Sequence, residues 1–298
     1  MKASILRDLS LEDYYADRLP GCSDPTLSSS IAKILLEKTP EQARLAHPRL
    51  RTPQETADAA SRNDASDAKD AGSLIHRLVL GRGSSLAIVD AEDWRKQAAK
   101  DARDKARTEG KVPVLLRVYN EALLSARRIQ ERLRERGVVL DGESEVVLRW
   151  QEASSLDGSV VHCRAALDHL RLGQGWVTCI DLKSLESASA DDCERHVADY
   201  NHDVQFAAYE NALKSVFGED IKLDFIFAFV ERAAPNVVTV AELSEEAKKF
   251  GRMRWQLAVD KWATCMHLGI WRAYYSPERV KLNVAKWKMD EFFRNHRR

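Results

Sequence analysis

Between Glu145 and Leu182 the hydrophobic pattern leaves helical spacing and becomes short, β-branched and aromatic: Glu145 to Trp150, Val160 to Leu170 and Trp176 to Leu182 are separated by Asp157-Gly158 and Gly173-Gln174-Gly175. Short runs of this kind, broken by residues suited to tight turns, predict an antiparallel meander. The segments on either side set the fold class. Ser28, Ser29 and Ser30 can cap an apolar stretch, Ile31 to Leu36. Leu74, Ile75, Leu78 and Val79 recur at helical spacing and stop at Gly81. After the meander a single long helix is expected from about Ala190 to Val216, closed by Gly218. Leu223 to Val230 is almost wholly apolar, as a central buried strand should be, with Val237 to Leu243 as its neighbour and a long helix opening at Ser244 and running to about Leu268. The order is helices, meander, helix, strand, strand, helix. It predicts an α/β protein with a mixed core and a helical N-terminal embellishment. One domain is expected over 1–298: a helical or flexible segment at 1–71, a core at 72–270 and a basic extension at 271–298. Residues 52–71, rich in Ala, Asp and Ser, read as a mobile segment.

Charge narrows the function. Lys and Arg number 46 against 46 Asp and Glu, so no global positive field draws the chain towards nucleic acid. The neutrality hides segregation: residues 95–136 carry thirteen basic and six acidic side chains, Arg127 and Arg128 among them. That stretch is helix-prone and is either a solvated face or a wall facing phosphate. The last eighteen residues hold six basic and two acidic side chains together with Trp287, Phe292 and Phe293. Trp255, Trp262 and Trp271 are spaced as a packing stripe rather than as a base-stacking platform. Five cysteines without a CxxC pair point to reduced, mostly buried thiols, with neither structural zinc nor an iron–sulfur cluster. No apolar window is long enough to span a bilayer and Met1 to Asp8 carries no signal-like run, so a cytoplasmic protein, in a bacterium or a phage-infected cell, is expected.

Chemistry concentrates between Ala165 and Lys183. Side chains alternate along a strand, so Asp181 and Lys183 project from one face while Leu182 points into the core. If the preceding hairpin turns on two residues, Asp168 falls opposite Asp181 or one diagonal step away. Converging carboxylates resist ionisation unless a cation lies between them, and a hard oxygen site of few protein ligands suits Mg²⁺, or Mn²⁺. A lysine beside it can assist a water nucleophile or neutralise charge building on phosphate.

The ordered set Gly72-x-x-x-His76, Glu145, Asp168, Asp181-x-Lys183 and Gln205-x-x-x-Tyr209 resembles the PD-(D/E)XK nucleases, and within them the RecB-type and RecE-type (exonuclease VIII) branch. The phrases Leu27 to Ser30, Gly72 to Leu80, Cys163 to Asp168 and Tyr200 to Tyr209 are most similar to the RecE group, and the likeness runs from about Tyr14 to the C-terminal region. The resemblance implies a restriction-endonuclease-like core with a mixed central sheet flanked by helices. It implies that His76, Asp168, Asp181 and the Leu182 carbonyl bind the metal, that Lys183 assists the nucleophile, that Glu145 is the acid of the first core strand, and that Gln205 and Tyr209 line the site near the nucleic-acid backbone. Glu143, two residues from Glu145, could take the acid's place, and Ala166-Leu167 replaces the Arg-Pro of many relatives. The implied activity is a Mg²⁺-dependent exonuclease that degrades one strand of linear double-stranded DNA from the 5′ end. The implied partners are DNA ends, a single-strand annealing protein and further copies of the chain in a ring, a tetramer being favoured. A RecB-like single-strand nuclease, an endonuclease, and a catalytically silent DNA-binding or assembly protein of the same fold are the rival readings.

Overall fold

The computed structural model describes residues 2–61, 67–82, 85–274, 279 and 281–296. In chain order its elements are β1 (Ser4–Ile5), α1 (Leu11–Tyr15), α2 (Ser29–Glu37), α3 (Pro40–Ala46), α4 (Pro53–Ser61), α5 (Asp67–Leu80), β2 (Leu86–Val89), α6 (Gln97–Thr108), β3 (Val112–Leu115) and α7 (Leu116–Glu135). Then follow β4 (Glu143–Ala153), β5 (Val160–Gly173), β6 (Trp176–Leu185), α8 (Ala190–Asp199), α9 (His202–Phe217), β7 (Lys222–Glu231), β8 (Val238–Ala241), α10 (Glu245–Leu268) and α11 (Lys286–Asn295).

The expected meander forms. β4, β5 and β6 pair antiparallel, and β5 turns into β6 over the two residues Gln174-Gly175, with Gly173 paired to Trp176. β7 then pairs parallel to β6, which requires a crossover, and α8 and α9 supply it. β8 and β1 close the edges, giving a six-stranded sheet in the order β1-β4-β5-β6-β7-β8. One face is covered by α2, α9 and α10 around Trp150, Phe227, Phe229, Trp255 and Trp262. The other is covered by α5 and α7 around Ile75, Ile129, Leu133, Ile180 and Leu182. The sheet thus lies between two helical layers, as an α/β core with helices on both faces requires. The N-terminal helix α2 is part of that packing: Ser28 Oγ accepts the amide of Ile31 at its start, and Ile31, Ala32 and Leu35 are buried in the main core. Gly251 on α10 permits close crossing with α9, since a Cβ there would stand 2.2 Å from the Asp203 carbonyl oxygen.

Three local expectations differ from what the chain does. The single helix over 190–216 is two, broken where Asn201 takes a left-handed backbone (φ +51°) that asparagine tolerates. The segment expected to be mobile contains α4 and the start of α5, alanine's helix propensity prevailing over its lack of large apolar side chains, while 62–66 lie outside the described residues. The basic, helix-prone stretch is interrupted by β3, which pairs parallel with the unforeseen β2. Pro113 sits in that strand, where it ends any helix. Trp255 and Trp262 are buried as a packing stripe should be, and Trp271 lies edge-on to Trp262 at 5.4 Å. All five cysteines are free thiols, four of them buried. Among the described residues no helix is long and apolar enough to cross a membrane.

Candidate active site

The site lies where β4 and β5 lose their regularity. Leu167 and Leu170 both pack in the main core, an odd spacing that an alternating strand forbids. The reversal falls at Asp168 and at Glu145, which sits opposite it in register but makes no ladder pair and has a left-handed backbone (φ +56°). A non-glycine residue held there is strained, and both acids face His76 on α5. His76 on α5 meets them, with Nε2 3.0 Å from Asp168 Oδ2 and Nδ1 3.4 Å from Glu145 Oε1. Burial opposes a charged ring, but Asp168 and then Glu145 outweigh it and hold His76 up at about 10. Asp168 is displaced the other way: burial works against its charge, and His76, Lys183 and the Leu182 amide together keep its carboxyl below the ordinary range.

Asp181 stands one strand further. The β5–β6 ladder ends at His169 paired with Ile180, so Asp168 does not simply face Asp181 across a pair, as a regular hairpin would have it. Instead Asp168 Oδ2 accepts the amide of Leu182 at 2.8 Å, fixing the carboxylate to the backbone of the neighbouring strand. Asp181 is 1% exposed; its Oδ1 accepts from Gln205 Nε2 at 2.6 Å and its Oδ2 lies 2.5 Å from Lys183 Nζ. Lys183 is the ion-pair partner of Oδ2, which has no other hydrogen-bond partner among the described residues. The pair is unequal. Lys183 is raised, because Asp181 and Asp168 overcome the burial that disfavours its charge, whereas Asp181 is raised because burial and Asp168 outweigh what Lys183 returns.

The remaining residues divide. Glu145, not Glu143, belongs to the cluster, since Glu143 is held by Arg7 at 2.9 Å on an exposed edge. Gln205 is in the site. Tyr209, one turn along α9, donates its hydroxyl to the Ala166 carbonyl at 2.8 Å and so braces the strand that carries Asp168. Leu182 is buried in the second core, with its amide turned to Asp168. Arg127 and Arg128 are exposed on α7, the helix packed against α5. Lys33 on α2 was not foreseen: its Nζ reaches Gln205 Oε1 at 3.4 Å, and burial, with the nearby Lys183, lowers it to about 8. Only a lone lysine on an apolar helix face hinted at it.

Among the described residues no group of three His, Cys, Asp or Glu side chains stands ready to hold a metal ion, and His76 and Lys183 are paired with the two aspartates. The residues nevertheless fit a hard divalent cation. Asp181 Oδ2 is a buried carboxylate oxygen without a hydrogen-bond partner, and Asp168, anchored by the next strand, supplies oxygen of the same kind.

Residues 51–275 match the model of a PDDEXK-like domain of unknown function (DUF3799), and the chain belongs to that family. No curated protein matches its sequence. A protein of Eubacterium rectale whose crystal structure is described as "Putative exonuclease" superposes over 95% of this chain and 98% of its own, with 12% identity and a TM-score of 0.59; the two share a fold. The crystal structure of SSO0001 covers 86% of this chain and 87% of its own at 12% identity, with a TM-score of 0.39. The fold is therefore that of the PD-(D/E)XK nucleases.

Proposed function

We propose that the chain is a metal-dependent deoxyribonuclease that degrades linear double-stranded DNA from its ends, in the 5′ to 3′ direction, and leaves 3′ single strands for an annealing protein. One observation carries the hydrolytic reading: a buried Asp181 oxygen without a hydrogen-bond partner lies beside the Lys183 ammonium, with Asp168 tied to the next residue of the same strand. The description of the Eubacterium rectale protein supports an exonuclease, and the likeness to RecE supports the polarity and the place in recombination.

Asp168, Asp181 and the Leu182 carbonyl would hold Mg²⁺, or Mn²⁺, whose chemistry at such a site is Lewis-acid stabilisation of the charge on the phosphate. The chain's own groups do the rest. Lys183, kept charged by two carboxylates, is placed to orient an attacking water and to meet negative charge developing on the phosphoryl oxygens. Gln205 holds the Asp181 carboxylate at one oxygen, and the other, now paired with Lys183, would turn to the cation. Glu145 and His76 fix the Asp168 side of the cleft. The exposed basic side chains of 95–136, Arg127 and Arg128 included, would line the DNA path, and a homo-oligomeric ring, of four copies by the RecE likeness, would let a neutral protein hold DNA in a positive channel.

The test uses one linear duplex labelled at either 5′ or 3′ end, its circular form and its single strand, each with Mg²⁺ or EDTA. The proposal expects loss of the 5′ label first from the linear duplex, sparing of circles, and no loss in EDTA. Cleavage of circles would make the protein an endonuclease, preference for the single strand would make it RecB-like, and inertness on every substrate would leave a DNA-binding module.

A further inference from the structure

Gln205 touches Asp181, yet a glutamine amide can present either of its ends, and only one is useful to a carboxylate. The structure fixes that choice from behind. Gln205 Oε1 is met by Lys33 Nζ at 3.4 Å and by His202 Nδ1 at 3.1 Å. An ammonium only donates, so the atom facing Lys33 is the oxygen, and the NH₂ end is left to face Asp181. His202 Nδ1 must then carry a proton to donate to the same oxygen, and in a neutral ring Nε2 is an acceptor. His196 meets it there, with Nδ1 2.9 Å from His202 Nε2. We infer that His202 is a positioning residue: held in the Nδ1–H tautomer by His196, it aims the Gln205 amide at Asp181.

The surroundings make the arrangement stiff. His202 is 4% exposed, and its ring packs on Phe227 at 5.6 Å. The His196 ring lies on Tyr200 at 4.3 Å and beside His202 at 5.0 Å, each with planes 27° apart. The left-handed turn at Asn201 places His202 first in α9, three residues before Gln205, so that both side chains lie on one helix face. Burial, with Lys183 and Lys33 close by, pushes the charged form of His202 down to about 2, so the ring stays neutral and its two nitrogens keep distinct roles.

The inference rests on the nuclease reading of the site, and the experiment separates the two. With Mg²⁺ and linear duplex DNA, His202→Ala should lower kcat about tenfold, the worth of one buried hydrogen bond, with KM within about twofold. His202→Asn, which can donate from nearly the same place, should restore most of the rate. In a Gln205→Ala background the loss of His202 should cost nothing further; multiplied losses, or a raised KM with kcat unchanged, would overturn the inference. The imidazole nitrogens of the unaltered protein give a readout independent of activity and of any variant's folding. Nitrogen-15 shifts should show His202 with a protonated Nδ1 and a bare Nε2, and the opposite tautomer would overturn the positioning role. If the protein cleaves no DNA, the nuclease reading falls while the nitrogen shifts still decide the tautomer.

Discussion

Two buried clusters in this protein are built from the same kinds of residue and end in opposite states. Near the N-terminus Asp17 accepts from the Thr26 amide at 3.0 Å and its hydroxyl at 2.5 Å, from Arg164 at 2.8 Å, and lies 3.3 Å from His47 Nε2. In the candidate site Asp181 has one oxygen on Gln205 and another without a hydrogen-bond partner. The carboxyl of Asp17 is accordingly held below its ordinary range, since His47, Arg164 and Thr26 outweigh burial, whereas that of Asp181 is pushed above it by burial. The first cluster partners both oxygens of Asp17, leaving Arg164 Nε unmet among the described residues, and pins the N-terminal segment to β5. The second leaves Asp181 with a raised carboxyl despite the Lys183 ammonium beside it, the kind of perturbed group that a site for chemistry gathers.

The largest separation between the two should appear in Lys183→Ala. It removes the group placed at the reacting phosphate and is expected to lower kcat on DNA by about 10²- to 10⁴-fold, with circular dichroism and melting temperature showing the fold retained. Asp17→Ala should do the reverse. It leaves Arg164 buried without its counter-charge and is expected to cost about 3–5 kcal/mol of stability in a denaturant titration, with activity lost only as the folded fraction falls.

A pH series sharpens the contrast. A depressed carboxyl contributes stability that is whole above the unfolded value of about 3.9 and is lost as pH falls through the folded value. The advantage of the wild type over Asp17→Asn should therefore be full at neutral pH and shrink below about pH 4. A constant difference at every pH would show that packing rather than charge holds the cluster. The smallest effect should come from Glu143→Gln. This exposed partner of Arg7 is expected to change stability by no more than about 0.5 kcal/mol and to leave DNA hydrolysis as it was, while an activity loss would restore Glu143 as the acid of the site.

How much of this could be read from the chain depends on whether the signal is local. Asp181 and Lys183 on one strand face were legible because period-two alternation is a local rule, and Gln174-Gly175 is one of the two turns that the sequence left open. The choice between Glu145 and Glu143 was not, since it rests on a left-handed residue inside a strand and on Arg7, which lies 136 residues from Glu143. Lys33 meets Gln205 across 172 residues, and no pattern in either segment announces the contact. The break at Asn201 lay closer to hand, because asparagine is among the few residues that take a left-handed backbone. β3 was hidden for another reason: four residues, Val112–Leu115, stand between two strongly helical stretches whose basic composition masks them.

The account stands on Asp181 serving chemistry rather than the fold, and Asp181→Asn tests it most directly. Digestion of linear duplex DNA in Mg²⁺ and in EDTA should be followed beside the melting temperature of the same preparation. A raised folded-state carboxyl costs stability as pH rises from about 3.9 through its folded value, so the variant should melt at or above the wild-type temperature near neutrality while its Mg²⁺-dependent hydrolysis disappears. A variant that melts several degrees lower and still digests DNA would contradict the account.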